Sequence, residues 1–143
     1  MKKINICGKE YPIDCNAFTF IEFKKKFKDN GIFKDFQIIN DFTTMQVMLT
    51  AKLKEKNPNI TTAQIIKEVS NEMLQYMDDF VGAITRVGYI CCYTANPDIG
   101  EYEDWLKEIK KINTNDMWIV EVTEFAVDNF CGLEGTEWIR KNL

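Results

Sequence analysis

Residues 60–93 are the stretch that most constrains the fold, because they have the pattern of one long and mostly buried helix. Thr61 and Gln64 have the spacing of a capping box, in which each side chain bonds the backbone of the other residue. Ile60 and Ile65 can form the hydrophobic staple that accompanies such a start. The sequence therefore predicts that the longest helix of the protein begins at Thr61 and runs to about residue 93.

Apolar residues recur along this stretch at spacings of three and four, as on one face of a helix. The predicted buried stripe is Ile66, Val69, Met73, Met77, Phe80, Ile84, Val87 and Cys91, widened by Leu74, Val81 and Ile90. Residues 80–95 carry only one charge, Arg86, so other elements should cover them on most sides, although they are too short to span a membrane. A helix of this length would span about 45–50 Å, so we expect it to protrude or to bend at Gly82 or Gly88. Pro97 ends it.

The chain has 143 residues, 45% of them apolar and 28% charged, which are ordinary values for one globular domain. We expect a single domain over residues 1–143, with a hairpin in residues 1–15, a helical body in residues 16–131 and a tail in residues 132–143. The first residues lack the apolar segment of a secretory signal, and the five cysteines are an odd number at irregular spacings. These features predict a cytoplasmic protein with reduced thiols.

The first fifteen residues predict the only sheet of the domain. Two short segments, residues 2–7 and 10–14, flank Gly8-Lys9, and a two-residue turn with glycine first is typical of a type II′ hairpin. A two-stranded hairpin is marginal alone, so its apolar side should lie against a helix. The residues of that side are Ile4, Ile6, Tyr11 and Ile13.

Asn16 can cap a helix that continues to about Asp29, with phenylalanines on one face and lysines around the rest. The lysines, which are Lys24, Lys25, Lys26 and Lys28, could indicate nucleic-acid binding or simply the solvated side of the helix. The net charge of the whole chain is −4, whereas a nucleic-acid binder needs a basic footprint, so we expect no nucleic-acid partner.

Three further helices are predicted along the chain. One covers residues 42–56 behind a cap at Asn40 or Asp41, and residues 32–39 before it are expected to be a helical turn or a connector. A short helix with Tyr102 near its start should end near residue 113. The stretch after Trp118 is rich in β-branched residues, but its apolar residues have helical spacing, so we predict a helix closed by Gly132, followed by a final turn or a mobile tail.

The sequence offers no constellation for catalysis. It contains no histidine, so it lacks a triad or an imidazole base, and it has no glycine-rich loop for a nucleotide. The adjacent acids at 78–79 and 103–104 point to different sides of a helix and cannot flank one substrate bond. No Cys-x-x-Cys pair is present for a zinc site. We therefore expect no enzyme activity, no cofactor and no metal.

Charge is divided unevenly between the two ends of the chain. Residues 1–56 carry eleven lysines and seven acids, a balance of plus four, and the remainder balances at minus eight. This division can serve solubility alone, or it can favour head-to-tail self-association or a charged protein partner.

Three segments of the chain form a recognisable layout: the opening INICGKEYPID, the helix TFIEFKKKF that follows it, and MWIVEVTEFAVDNFCG late in the chain. Together they resemble tail assembly chaperones of siphophages and prophages of Gram-positive bacteria, whose short hairpin motif the opening approximates. If a phage encodes the protein, the predicted location is the host cytoplasm. The resemblance covers roughly residues 3–131. It implies a non-enzymatic protein that coats the helices of the tape measure protein and helps tail-tube subunits assemble. The alternative is a small adaptor or regulatory protein, of bacterial or mobile-element origin, that binds one folded partner.

Four methionines are the candidate partner-binding residues, because methionine is flexible and polarisable and suits surfaces that accept varied helices. They are Met45, Met48, Met73 and Met77. The competing interpretation is that they fill gaps in the core. The overall expectation is a mainly α, small helical domain with an N-terminal β-hairpin and a long central helix. If the methionines bind a partner, the helices at residues 42–56 and 61–93 should form a partly exposed groove, or a self-association face when no client is present.

Overall fold

The structure is a computed structural model that describes residues 1–113 and 116–130. It is a mainly α domain that begins with a β-hairpin and contains one long helix, so the predicted fold class is confirmed. Its elements are β1 (Lys3–Ile6), β2 (Lys9–Pro12), α1 (Ala17–Lys26), α2 (Ile32–Lys56), α3 (Thr62–Met73), α4 (Met77–Ala95), α5 (Tyr102–Glu108) and α6 (Met117–Phe130). Short 3-10 turns occupy Leu74–Tyr76 and Pro97–Ile99.

The hairpin pairs β1 and β2 antiparallel, with Ile4 opposite Tyr11. Its turn is Cys7-Gly8, and both residues have positive φ, 52° and 87°, as a type I′ turn requires. The predicted type II′ turn at Gly8-Lys9 is therefore wrong. The side chain of Asn5 accepts a hydrogen bond from the Gly8 N–H at 2.9 Å, which helps to hold the turn one residue earlier than predicted.

The apolar side of the hairpin lies against helices, as predicted. Its four predicted residues, Ile4, Ile6, Tyr11 and Ile13, are all buried. β1 contacts α6 and β2 contacts α4, so the hairpin closes one side of the helical core.

Helix α1 begins at the predicted cap but ends early. The Asn16 side chain accepts from the Phe18 N–H at 2.9 Å, and the Asn16 N–H donates to the Thr19 hydroxyl at 3.0 Å. The helix ends at Lys26 instead of about residue 29, and the Phe27 N–H bonds back to the Phe23 carbonyl.

The longest helix is α2, with 25 residues, and not the predicted element at 60–93. Residues 32–39, predicted as a turn or connector, form its first turns, so the predicted cap at Asn40 or Asp41 lies inside a continuous helix. Ile32, Ile39 and Phe42 are buried at helical spacing, which explains the continuity.

The predicted single helix from Thr61 to residue 93 is wrong, because the 3-10 turn Leu74–Tyr76 divides it into α3 and α4. Gly82 and Gly88, the predicted bend points, lie within α4. A 3-10 turn advances about 120° per residue instead of 100°, so it rotates the apolar side of α3 relative to that of α4. Both helices contact α2, but α4 also contacts α1, α5, α6 and β2 at the centre of the domain, so the rotation lets the two helices present different sides to the core.

Helix α4 is the centre of the core. It contacts α1, α2, α5, α6 and β2, and its second half is buried on most sides, as predicted. Two members of the predicted buried stripe are exposed instead, Ile66 and Leu74. They lie on and after α3, whose main contact among the long helices is α2, and their side of α3 is left open by the described elements.

The last described helices are α5 and α6. α5 ends at Glu108 instead of near residue 113. The predicted helix after Trp118 is confirmed as α6, which buries Trp118, Val122 and Ala126. Gly132 and the predicted tail lie outside the described residues. Across the described part of the chain, no helix combines the length and the apolar character that crossing a bilayer requires.

Candidate interaction surface

The C-terminal half of α2 and most of α3 form a two-helix extension with no buried residue. We call this extension, residues 43–68, the arm. Its side chains are exposed or half-buried throughout, and burial resumes only at Val69. The two helices contact each other, and α2 reaches the core through its other half. The arm therefore offers both sides of a two-helix layer to solvent.

Local sequence signals build the tip of the arm. α2 ends at Lys56, where the Asn57 N–H bonds the Leu53 carbonyl. The predicted capping box then starts α3 and is confirmed: the Gln64 N–H donates to the Thr61 hydroxyl at 3.2 Å, and the Gln64 side chain accepts from the Thr61 N–H at 3.0 Å. These bonds satisfy backbone groups that the core cannot reach.

One side of the arm carries an open groove of about 460 Å³, which we call the apolar groove. Its only charged lining residue is Lys54. Val47 of α2 is 64% exposed and Ile66 of α3 is 56% exposed, one on each wall. The lining residues are Gln46, Val47, Thr50, Ala51, Lys54, Ile65, Ile66, Val69 and Ser70.

A second groove of about 410 Å³ lies between the same two helices, and we call it the charged groove. Lys52 and Lys56 line it from α2, and Glu68 and Glu72 line it from α3, around a floor that includes Leu53. Within the described part of the chain, none of these four charged side chains forms an ion pair within 4.0 Å.

A smaller cavity of about 200 Å³ lies where the arm joins the core, and we call it the base cavity. Two exposed acids, Asp41 and Asp79, line it. Its apolar lining comes from Ile38, Phe42, Met45 and Tyr76.

The four candidate methionines do not lie together on one surface. Met73 is 1% exposed and belongs to the core, whereas Met48 is largely exposed on the arm. Met45 and Met77 are half-buried against the core, and Met45 lines the base cavity. None of the four lines the apolar groove. Partner binding by these methionines stays a prediction.

Sequence reasoning missed the residues that line the apolar groove. The apolar pattern gives Val47 no role and predicts that Ile66 is buried. Periodicity shows that one side of a helix is apolar, but it does not show whether another element covers that side. A usable signal was present in α2, where Gln46 and Thr50 take positions that leucine would hold in a fully buried helix.

Three buried polar side chains elsewhere, Asp35, Thr85 and Tyr89, are paired within the core. Asp35 of α2 and Arg86 of α4 form an ion pair, and the Thr85 hydroxyl lies 2.8 Å from the Tyr102 hydroxyl. The Tyr89 hydroxyl donates to the Gly100 carbonyl at 2.7 Å. These contacts join α2, α4 and α5, and their polar atoms face each other instead of an open cleft.

The thiols have the properties of packed side chains. Burial raises the pKa of Cys92 to about 12 and holds the pKa of Cys91 well above its ordinary value. Burial also raises the pKa of the half-buried Cys15 to about 11. These thiols therefore stay protonated at neutral pH, and the described residues contain no cluster of three or more ligands suited to a metal ion. Cys131 lies outside the described residues.

The arm is thus the surface best suited to binding, since it combines open grooves with exposed apolar side chains. No protein-family model, no characterised protein and no solved structure matches the chain.

Proposed function

We propose that this protein is a non-enzymatic tail assembly chaperone of a phage or prophage, and that its apolar groove binds an amphipathic helix of the tape measure protein. The single observation that carries the proposal is the arm, where 26 consecutive residues, 43–68, include no buried side chain. The resemblance of the chain to tail assembly chaperones supports the identity of the client.

The apolar groove supports a helical client because two helices already form its walls. A third helix laid between them would complete a three-helix layer with ridges packed into grooves. Grooves of this kind bind amphipathic helices through apolar anchors at i, i+3, i+4 and i+7. Val47 and Ile66 supply the apolar contacts, one from each wall.

Binding a client in the apolar groove is energetically favoured over leaving its apolar side chains exposed to water. Fully burying a valine or isoleucine side chain stabilises a complex by about 1.5–3 kcal/mol, so Val47 and Ile66 together offer a few kcal/mol to a client. Exposed apolar patches usually bind something, because they otherwise promote aggregation. The polar lining residues, among them Gln46 and Ser70, can bond polar side chains along the edge of a client helix.

The chemistry of the side chains also supports a role without catalysis. The sequence has no histidine, and within the described residues the buried titratable groups are neutral thiols and phenols or the Asp35–Arg86 pair. A chaperone needs surface and reversible contact, which the arm provides, and does not need a proton-transfer group.

The experiment is co-expression with a tape measure protein, whose gene the proposal expects directly downstream. Ile66→Glu and Val47→Glu should each abolish co-purification, because a client cannot bury a new carboxylate in an apolar groove. The controls are Ile21→Glu and Phe33→Glu, since Ile21 is 57% and Phe33 63% exposed, close to the values for Ile66 and Val47. Both lie outside the arm.

Two outcomes would overturn the proposal. If the unmodified protein does not co-purify with the tape measure protein, the client is wrong and the adaptor alternative gains support. If the control variants lose the client as completely as the groove variants, the client surface lies outside the apolar groove. Circular dichroism on each variant shows whether the fold is retained.

A further inference from the structure

One face of α2 carries an acid near the middle of the helix and two bases near its end. Asp41, Met45, Leu49, Lys52 and Lys56 follow one another at spacings of four, four, three and four, so they share that face. The three charged residues are exposed and the two apolar residues are half-buried. Along the axis, Asp41 and Lys52 are separated by about 16 Å.

The charges on this face lie in the two cavities described above. Asp41 and Asp79 line the base cavity, and Lys52 and Lys56 line the charged groove. In the described residues none of these four forms an ion pair within 4.0 Å. The face therefore presents a negative end and a positive end with apolar side chains between them.

We propose that this face binds a second copy of the chain, with the two α2 helices antiparallel. When the helices are aligned about residue 47, Met45 of one copy faces Leu49 of the other. Asp41 of one copy then lies level with residue 53 of the other, within about 5 Å along the helix axis of both Lys52 and Lys56.

The charges decide the direction of the pairing. In the antiparallel arrangement, the two lysines of each copy meet Asp41 and Asp79 of the other, and two-fold symmetry repeats this match at both ends. A parallel arrangement in register would place lysine against lysine and Asp41 against Asp41. Like charges in contact suppress such a pairing, so the face specifies one orientation.

The half-buried apolar residues support the same occupant. Met45 and Leu49 are incompletely covered within one copy and lie at the centre of the proposed contact. Glu68 and Glu72 form the outer wall of the charged groove, so the acids of the partner approach Lys52 and Lys56 from the α2 side. The acidic wall also disfavours a partner helix that presents acids along its whole length.

This inference is independent of the proposed client. Val47 and Ala51 of the apolar groove lie on the opposite side of α2 from Met45 and Leu49, by helical geometry. A dimer through the charged face therefore leaves the apolar groove open. Ile66→Glu should lose the tape measure protein and remain dimeric, which separates failure of one proposal from failure of the other.

The test is the mass of the purified protein in solution by sedimentation equilibrium across a range of protein and salt concentrations. The unmodified chain should be a dimer that weakens as salt screens the charge pairs. Lys52→Glu with Lys56→Glu should weaken the dimer by about tenfold or more, and so should Asp41→Lys with Asp79→Lys. An equimolar mixture of the two variants should restore dimers, because each then complements the other.

The matched control is Lys24→Glu with Lys28→Glu, which changes the net charge equally outside the arm and should leave the dimer unchanged. The proposal is overturned if the unmodified chain is monomeric at every concentration. It is also overturned if both charge-reversed variants fold, as judged by circular dichroism, and dimerise like the unmodified chain, or if mixing them restores nothing.

Discussion

Arg86 of α4 holds Asp35 of α2 through two parallel hydrogen bonds. The Nε–Oδ2 distance is 2.7 Å and the Nη2–Oδ1 distance is 2.9 Å. Asp35 is 1% exposed, so its carboxylate has lost its water and depends on this partner. The same bonds, more than the opposing effect of burial, raise the pKa of the Arg86 guanidinium. This pair aligns the core half of the longest helix with the central helix and so positions the arm.

Replacing Arg86 by Met should destabilise the protein by about 3–5 kcal/mol, because it leaves the buried Asp35 carboxylate without a partner. Urea unfolding measures the loss. The double variant Asp35→Leu with Arg86→Met should recover most of it, since two apolar side chains remove the unpaired charge. A single-variant loss below about 1 kcal/mol would show that water reaches Asp35.

Phe80→Ala should cost about 2–5 kcal/mol of the free energy of unfolding, because deleting a buried ring leaves a cavity. Phe80 of α4 stacks on Phe42 of α2 with ring centroids 4.1 Å apart, so the cavity opens between the two longest helices. The control is Ile66→Ala on the exposed side of α3, which should change the stability by no more than about 0.5 kcal/mol. Equal losses in the two variants would contradict the assignment of core and arm.

The stability should fall as the pH rises above about 9, in part because of Cys92. Burial raises the pKa of this thiol to about 12, whereas an unfolded cysteine titrates near 8.5. The contribution of the protonated Cys92 thiol to the free energy of unfolding is therefore complete below about pH 8.5. It is lost progressively as the pH rises toward 12. At pH 10 we expect a loss of about 2 kcal/mol from Cys92, with the thiols kept reduced.

Chemical unfolding at pH 7 and pH 10 measures this difference, and Cys92→Ala is the control. The variant should lose less stability over that range than the unmodified chain does. Tyr89 contributes to the decline in both proteins, since burial raises its pKa to about 12. Identical declines in the two proteins would show that Cys92 does not titrate during unfolding.

Thr61→Ala should loosen the arm without disturbing the core. The substitution removes the hydroxyl that accepts the Gln64 N–H, and loss of such a cap costs about 1 kcal/mol. Amide hydrogen exchange should therefore quicken about fivefold in α3 and stay unchanged in α4. Thr62→Ala, one residue further on, is the matched control because the Thr62 side chain does not cap the helix. Equal acceleration in α4 would mean that the arm and the core open as one unit.

Local patterns in the sequence determined where most elements lie and how they begin. The caps at Asn16 and Thr61 were predicted correctly because a capping box involves residues only three apart. The helix after Trp118 was predicted from apolar spacing against its β-branched composition, and the structure confirms it. The mainly α class with an N-terminal hairpin follows from the same short-range signals.

Tertiary structure decided what those signals leave open. Asp35 lies inside α2 instead of in a connector because its partner, Arg86, approaches from a helix 51 residues away. Ile66 and Leu74 continue the apolar period of the core residues Val69 and Met73, yet both are exposed. Periodicity describes one helix at a time, and burial depends on which other helices reach it. The arm and its two grooves arise from that difference.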